Sequence, residues 1–272
     1  MRIKNLLTGL LMGFIAFSPM TVKADETATI RFILTGDMPE FNSEDGRGGY
    51  AKLASVAKTF KKKTKRNIRS LLIHAGDAYS PSLLSGLDKG KSTVDMLNAV
   101  GVDYMVLGNH EWDFGPKITR ERVWQSDFTV LASNVIDSDG LPVDGTVRTA
   151  MEIVGSFRIG IMGLVTPNVK DVSSPETDQF MPVMDTAKKL AKELKVQGAH
   201  LIVAIGHLDF VEDMEIIQSG LVDILLSGQD HYHIFFDNGK DVWLDAGEDG
   251  EKVGVLDVHM KSYVKRGKKR FS

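Results

Sequence analysis

Five times along this chain a short apolar run of strand-forming residues stops at a glycine and hands over to an acid, an amide or a histidine. The handovers are Gly36-Asp37, Gly76-Asp77, Gly108-Asn109-His110, Gly206-His207 and Gly228-Gln229-Asp230-His231. In open α/β sheets ligands bind at the carboxyl ends of the strands, where a buried run delivers a loop of reactive groups. The chain is therefore limited to folds that bring five strand ends to one crevice. The densest handover follows Leu107 and Gly108, where Asn109, His110, Glu111 and Asp113 put four polar side chains into five positions. Asn offers a neutral oxygen, His a nitrogen or a proton, and the acids beyond can orient that ring.

Hydrophobic periodicity supplies the elements between the handovers. Ala28–Leu34, Ser70–Ala75, Asp103–Leu107, Phe128–Ala132, Leu201–Ile205 and Leu221–Leu226 read as strands. Tyr50 to about Lys65, Ser92–Val100, Asp185–Val196 and Met214–Ser219 read as helices; Leu190 and Leu194 face inward and Asp185 is the expected N-cap. Val147–Val154 and Phe157–Leu164 form a hairpin turning at Gly155-Ser156. Asn238-Gly239 turns a second hairpin between Ile234–Phe236 and Val242–Leu244, and Val253–Met260 closes the set. Early β-α-β units followed by hairpins predict an α/β fold, with two mixed β-sheets packed together and helices outside. Residues 25–262 are expected to form one domain, and the basic residues 263–272 a disordered tail.

The first 24 residues read as a signal peptide. Arg2 and Lys4 precede a mainly apolar run from Leu6 to Phe17, and Val22-Lys23-Ala24 offers small residues for cleavage after Ala24. That run is short of the roughly 20 apolar residues of a membrane-spanning helix. The expectation is a periplasmic or secreted protein with no stable membrane insertion after cleavage. Losing Arg2, Lys4 and Lys23, and no acid, moves the formal charge from −3 to −6. A mildly acidic protein is a poor partner for nucleic-acid polymers. With no Cys, any metal must be held by His, carboxylates and amides.

Asp37, Asp77, Asn109, His207, Gln229 and His231 are hard or borderline ligands at strand ends. Buried carboxylates without partners are costly, and metal ions are the usual compensation. A carboxylate bridging two divalent ions about 3.5–4 Å apart suits in-line displacement at phosphorus. Gly76-Asp77, Gly108-Asn109-His110-Glu111, Gly206-His207 and Gly228-Gln229-Asp230-His231 together resemble the calcineurin-like metallophosphoesterases. Gly46-Arg47-Gly48-Gly49, Gly76 to Ser82, Gly108 to Gly115 and Ala246-Gly247-Glu248-Asp249 resemble the exported 5′-nucleotidase branch, catalytic domain only. The resemblance spans Ala28 to Met260 and implies that family's four-layer sandwich. It also implies roles: Asp77 bridging two metals, Asp37 and His231 on the first, Asn109 and His207 on the second with Gln229 beside it. His110 would sit over the phosphate and protonate the leaving oxygen or stabilise the charge on it, with Asp113 orienting its ring.

Two positions depart from that pattern. The family's first motif carries Asp-x-His, but here Asp37-Met38-Pro39 offers no nitrogen, although Glu40 could fold back. The last motif is usually Gly-His-x-His, and Gln229 replaces its first His; a register shifted by two would make His231 and His233 the pair. Each ion loses an imidazole, which shifts the expected preference from Zn toward Mn or Mg. The implied activity is hydrolysis of small phosphomonoesters, nucleoside 5′-monophosphates among them. The alternatives are a phosphodiesterase on cyclic or sugar nucleotides and a weakly active binding protein. The branch normally carries a further, nucleoside-holding domain, and this chain ends about where it would begin. The expectation is a broader phosphoesterase, a chain completed by a partner that supplies the domain, or a remnant.

Overall fold

The computed structural model describes residues 26–38, 41–42, 48–61, 65–265 and 268–272. The expected signal segment, Gly46-Arg47, Pro39 and Glu40 lie outside these residues. In chain order come β1 (Glu26–Thr35), α1 (Tyr50–Phe60), β2 (Ile68–His74), α2 (Leu83–Asp88), α3 (Lys91–Val100) and β3 (Tyr104–Val106). A 3₁₀ turn (His110–Trp112) leads to α4 (Gly115–Gln125), β4 (Thr129–Leu131), β5 (Val135–Ile136), β6 (Thr149–Val154) and β7 (Phe157–Val165). Then follow α5 (Val169–Val172), β8 (Gln179–Phe180), α6 (Val183–Val196), β9 (Leu201–His207), α7 (Phe210–Gln218) and β10 (Ile224–Gly228). A hairpin of β11 (His233–Asp237) and β12 (Val242–Ala246) precedes β13 (Gly254–Lys265) and β14 (Lys268–Phe271).

Twelve of these strands build the expected two mixed sheets, and β5 and β8 pair antiparallel as a small two-stranded sheet of their own. One has the order β14-β13-β1-β2-β3-β4, the other β11-β12-β10-β9-β7-β6. Strands β1 to β4 run parallel, with β13 antiparallel beside β1. In the second sheet β7, β9, β10 and β12 run parallel between antiparallel edges β6 and β11. Register sets the site: Thr35 pairs with His74, so Asp37 and Asp77 leave their strands side by side. In the second sheet Gly228 pairs with His207, which puts Gln229 just past that histidine.

Apolar residues on the inner faces hold the sheets together. Ile30, Phe32, Val106, Leu131, Ile161 and Ile205 join one buried cluster, which also takes Leu53 of α1 and Leu97 of α3. A second cluster packs Leu190 and Leu194 of α6 and Ile216 of α7 against Met162, Leu164 and Ile202. At Gly163 the sheets approach so closely that a Cβ would stand 2.4 Å from that of Leu131. Only glycine fits there. Among the described residues no helix is long and apolar enough to cross a membrane.

Three expectations change. Helix α6 starts at Val183 with Pro182 at the N-cap, so Asp185 lies in the first turn, where its charge suits the helix dipole without capping. Helix α4 has no counterpart in the sequence reading, because only Gly115, Pro116, Thr119 and Val123 are buried and no apolar stripe marks it. The tail expected to be disordered from Tyr263 pairs instead, Ser262 opposite Phe271. The Phe271 ring packs against Phe157 at 5.6 Å and His200 at 3.7 Å, an apolar anchor within a basic stretch.

Candidate metal centre

The strand ends of both sheets meet in one crevice of about 250 Å³, lined by Asp37, Asp77, Ser80, Pro81, His110, His231, Glu248 and Asp249. Two larger hollows, one beside α1 and α3 and one beside α6 and α7, are lined mainly by apolar side chains. Backbone strain concentrates in the crevice. Asp37, Asp77, Gln229 and His231 all hold positive φ, at 50°, 54°, 90° and 60°. Positive φ is uncommon outside glycine, less so for Asp and His than for Gln, and four such residues together persist where the surroundings over-determine them.

Asp37, Asp77 and His207 each offer a ligand atom within 4.8 Å of the others, and all three are buried. The Nδ1–H of His207 donates to the Ala75 carbonyl at 2.7 Å, which leaves Nε2 facing the cluster. Nε2 lies 3.2 Å from Asp77 Oδ2 and 3.2 Å from Asn109 Oδ1. An imidazole nitrogen, a carboxylate oxygen and an amide oxygen thus converge on one point, where either a proton on Nε2 or a cation would hold them together. Gly108 makes room for this, since a Cβ there would meet Asp77 Oδ1 at 2.2 Å. On the other side His231 Nδ1 pairs with Glu248 at 2.8 Å, turning Nε2 to 3.7 Å from Asp37 Oδ1. A histidine fixed through one nitrogen by a carbonyl or carboxylate, with the other nitrogen free, is how proteins present imidazole to a metal.

The cluster requires positive charge. Burial disfavours a second proton on His207, yet Asp77 and Asp37 outweigh it and raise its pKa to about 10. Burial pushes the Asp37 carboxyl well above the usual carboxylate range, with the charge of His207 pulling it back. A divalent cation would replace that proton and relieve both acids, so the donor set fits a metal. Gln229 supplies a further sign: its Oε1 is buried and has no hydrogen-bond partner among the described residues. Its backbone N–H donates to Asp37 at 3.1 Å. His233, the member of the shifted register, stays outside; its Nδ1 donates to Ala246 at 2.8 Å, in a separate groove with Phe235 and Leu244.

On the open side, His110 Nδ1 lies 2.7 Å from Asp113 Oδ2, and His110 Nε2 lies 4.0 Å from Asp77 Oδ2. The hydrogen bond to Asp113 raises the His110 pKa against partial burial. Asp113, although burial opposes its charge, is held low by His110, Ser173 and Ser80. Glu111 does not orient His110. Its buried carboxylate accepts the backbone N–H groups of Asp77 at 2.9 Å, Ala78 at 2.7 Å, Tyr79 at 3.0 Å and Gly108 at 2.5 Å. It clamps the loop that carries Asp77 to the loop that carries Asn109. Sequence reasoning missed that role, and also those of Ser173 and Glu248, which sit in segments without a periodic signal of their own.

Comparison with known proteins places this geometry. The sequence profile of the calcineurin-like phosphoesterases matches residues 30–270. The probable 5′-nucleotidase of Treponema pallidum (strain Nichols) is 32% identical over 191 residues, which is 68% of this chain and 31% of that protein. The NAD 5′-nucleotidase of Haemophilus influenzae is 31% identical over 189 residues, again 68% of this chain and 31% of the relative. The chain thus spans about a third of the length of these curated relatives. In fold it is similar to the solved Haemophilus influenzae NAD nucleotidase, with a TM-score of 0.74 and 24% identity over 91% of this chain and 55% of that one. It is also similar to a calcineurin-like phosphoesterase from Bacillus subtilis, with a TM-score of 0.71 and 17% identity, over 90% of this chain and 88% of the other.

Proposed function

The chain belongs to the calcineurin-like phosphoesterases, and on that premise we propose that it hydrolyses small phosphomonoesters, nucleoside 5′-monophosphates foremost. The observation that carries the reading is the convergence of Asp37, Asp77 and His207, from two sheets, into one buried cluster of ligand atoms. Asp37, Asp77 and His231 would hold one divalent cation, and Asp77, Asn109, His207 and Gln229 the other. When bound, the two cations lower the pKa of water and offset charge on the phosphate oxygens. The protein's own groups do the rest. Asp77 fixes its position through the His110 backbone N–H at 2.9 Å and through Glu111. His110, held through Nδ1 by Asp113, presents Nε2 on the open side and in its protonated form delivers a proton to the leaving oxygen. Asp113 keeps the ring in place as that proton departs.

The two lost imidazoles favour Mn or Mg over Zn. The apolar leader, outside the described residues, supports export to the periplasm or beyond. A second reading is a feebly active binding protein, favoured by the amide of Gln229 standing where the family pattern has an imidazole. Steady-state assays of the Mn-loaded protein on AMP, p-nitrophenyl phosphate and its bis ester test the proposal. Turnover of the monoesters supports it, turnover of the bis ester alone would assign a phosphodiesterase, and tight binding of AMP without turnover would establish the second reading.

A further inference from the structure

We propose that Ser173 is a positioning residue for the reaction, setting the aim of the His110 ring through Asp113. The inference rests on the reading of His110 as proton donor. The Ser173 hydroxyl donates to Asp113 Oδ1 at 2.8 Å, while Asp113 Oδ2 faces His110 Nδ1 at 2.7 Å. With each carboxylate oxygen tied to a different partner, the acid cannot rotate about its terminal bond without breaking one contact. The imidazole follows the plane of the acid, so a hydroxyl that never meets substrate fixes where Nε2 points.

The hydroxyl is itself held. Ser173 follows α5 in the crossover from β7 to α6, and its own N–H donates to the Val169 carbonyl at 2.9 Å. Five residues on, Asp178 is buried and accepts from the Trp112 indole at 2.9 Å and from both ends of the Arg120 guanidinium at 3.1 and 2.8 Å. Trp112 stands between His110 and Asp113 in sequence, and its ring packs edge-on against Phe180 at 5.1 Å. Residues 173–178, reached from the second sheet, therefore brace both sides of the 3₁₀ turn carried by the first. Ser80, which lines the crevice, is a second hydroxyl on the same carboxylate and limits the loss to a part of the effect.

The test uses leaving groups of different need. p-Nitrophenolate departs without a proton, whereas an alkoxide does not, so misaiming the acid penalises alkyl esters selectively. With the full Mn-loaded chain, Ser173→Ala should lower kcat on an alkyl phosphate roughly ten- to a hundredfold. On p-nitrophenyl phosphate it should change kcat by less than about twofold. KM should hold for both, and Ser173→Thr, which keeps the hydroxyl, should restore alkyl turnover. An equal loss on both esters, or none on the alkyl ester while His110→Ala shows the selective loss, overturns the proposal. If His110→Ala itself penalises both esters alike, the donor role of His110 fails and this inference goes with it.

Discussion

Nε2 of His207 lies 3.2 Å from Oδ2 of Asp77, although the two residues terminate strands of different sheets. The same holds for Asp37 and His231, one beyond β1 and the other beyond β10. Each proposed cation would therefore be held by both halves of the sandwich. The sheets are packed through apolar contacts in the core, and the proposed cations would tie them at the rim.

Cation binding should therefore act as a cross-link between sheets. At a hundredfold excess over Kd the gain in folding free energy is about 2.7 kcal/mol. Thermal melts of chelator-stripped protein with added MnCl₂ should show Tm rising with concentration. Phosphatase activity should return further with Mn than with Zn, and equal recovery would argue against the oxygen-rich ligand set.

Gln229 has its side-chain oxygen buried and without a partner among the described residues. Gln229→His should tighten binding and move preference toward Zn, since imidazole suits that ion better than an amide oxygen. Calorimetric titration of the variant and parent with both metals checks the direction.

His110 touches no proposed ligand strongly except through its backbone N–H to Asp77. Its ring can thus be removed without dismantling the centre. His110→Ala should reduce kcat on an alkyl phosphate about 10²–10⁴-fold with little change in KM or in Mn affinity. A parallel fall in Mn affinity would make the ring a ligand.

Glu111 accepts four backbone N–H groups in a dry environment. Glu111→Gln sets an amide NH₂ against those donors, at a cost of about 1.5–3 kcal/mol or more. Urea denaturation should show the loss, and Mn binding should weaken because the loops bearing Asp77 and Asn109 come unclamped.

Asp213 of α7 is buried beneath the second sheet, and among the described residues neither carboxylate oxygen has a partner of ordinary hydrogen-bond geometry. Burial pushes its pKa well above the usual carboxylate range, and the Ser227 hydroxyl offsets only part of that. An acid raised in the folded state favours folding below its unfolded value of about 3.9 and loses that advantage as pH rises through its folded pKa. Asp213→Asn should therefore raise Tm at pH 8, by about 2–4 °C per kcal/mol recovered, and raise it less at pH 5. A gain of equal size at both values would show that charge is not the cause.

The strand-to-glycine handovers made most of this architecture legible in advance. They depend on local rules: an apolar run, a residue free of Cβ clashes, then a donor. Asp37, Asp77, Asn109 and His207 were found that way because strand register does the assembling. Glu111 was visible as a letter but not as a clamp, since its four partners are backbone groups that no side-chain pattern reports. Ser173 acts on a residue that the fold, not the sequence, makes its neighbour. Helix α4 escaped because its buried positions are Gly, Pro, Thr and Val. The paired tail escaped because a single phenylalanine outweighs the lysines around it.

The contact at Gly163, where a side chain would strike Leu131, sets how far apart the two layers can stand. Because the donors hang from opposite layers, that clearance is also a gauge for the reaction centre. A methyl group inserted deep in the sandwich would spread the two halves of the proposed cation site, so its spacing would depend on residues that no substrate ever meets.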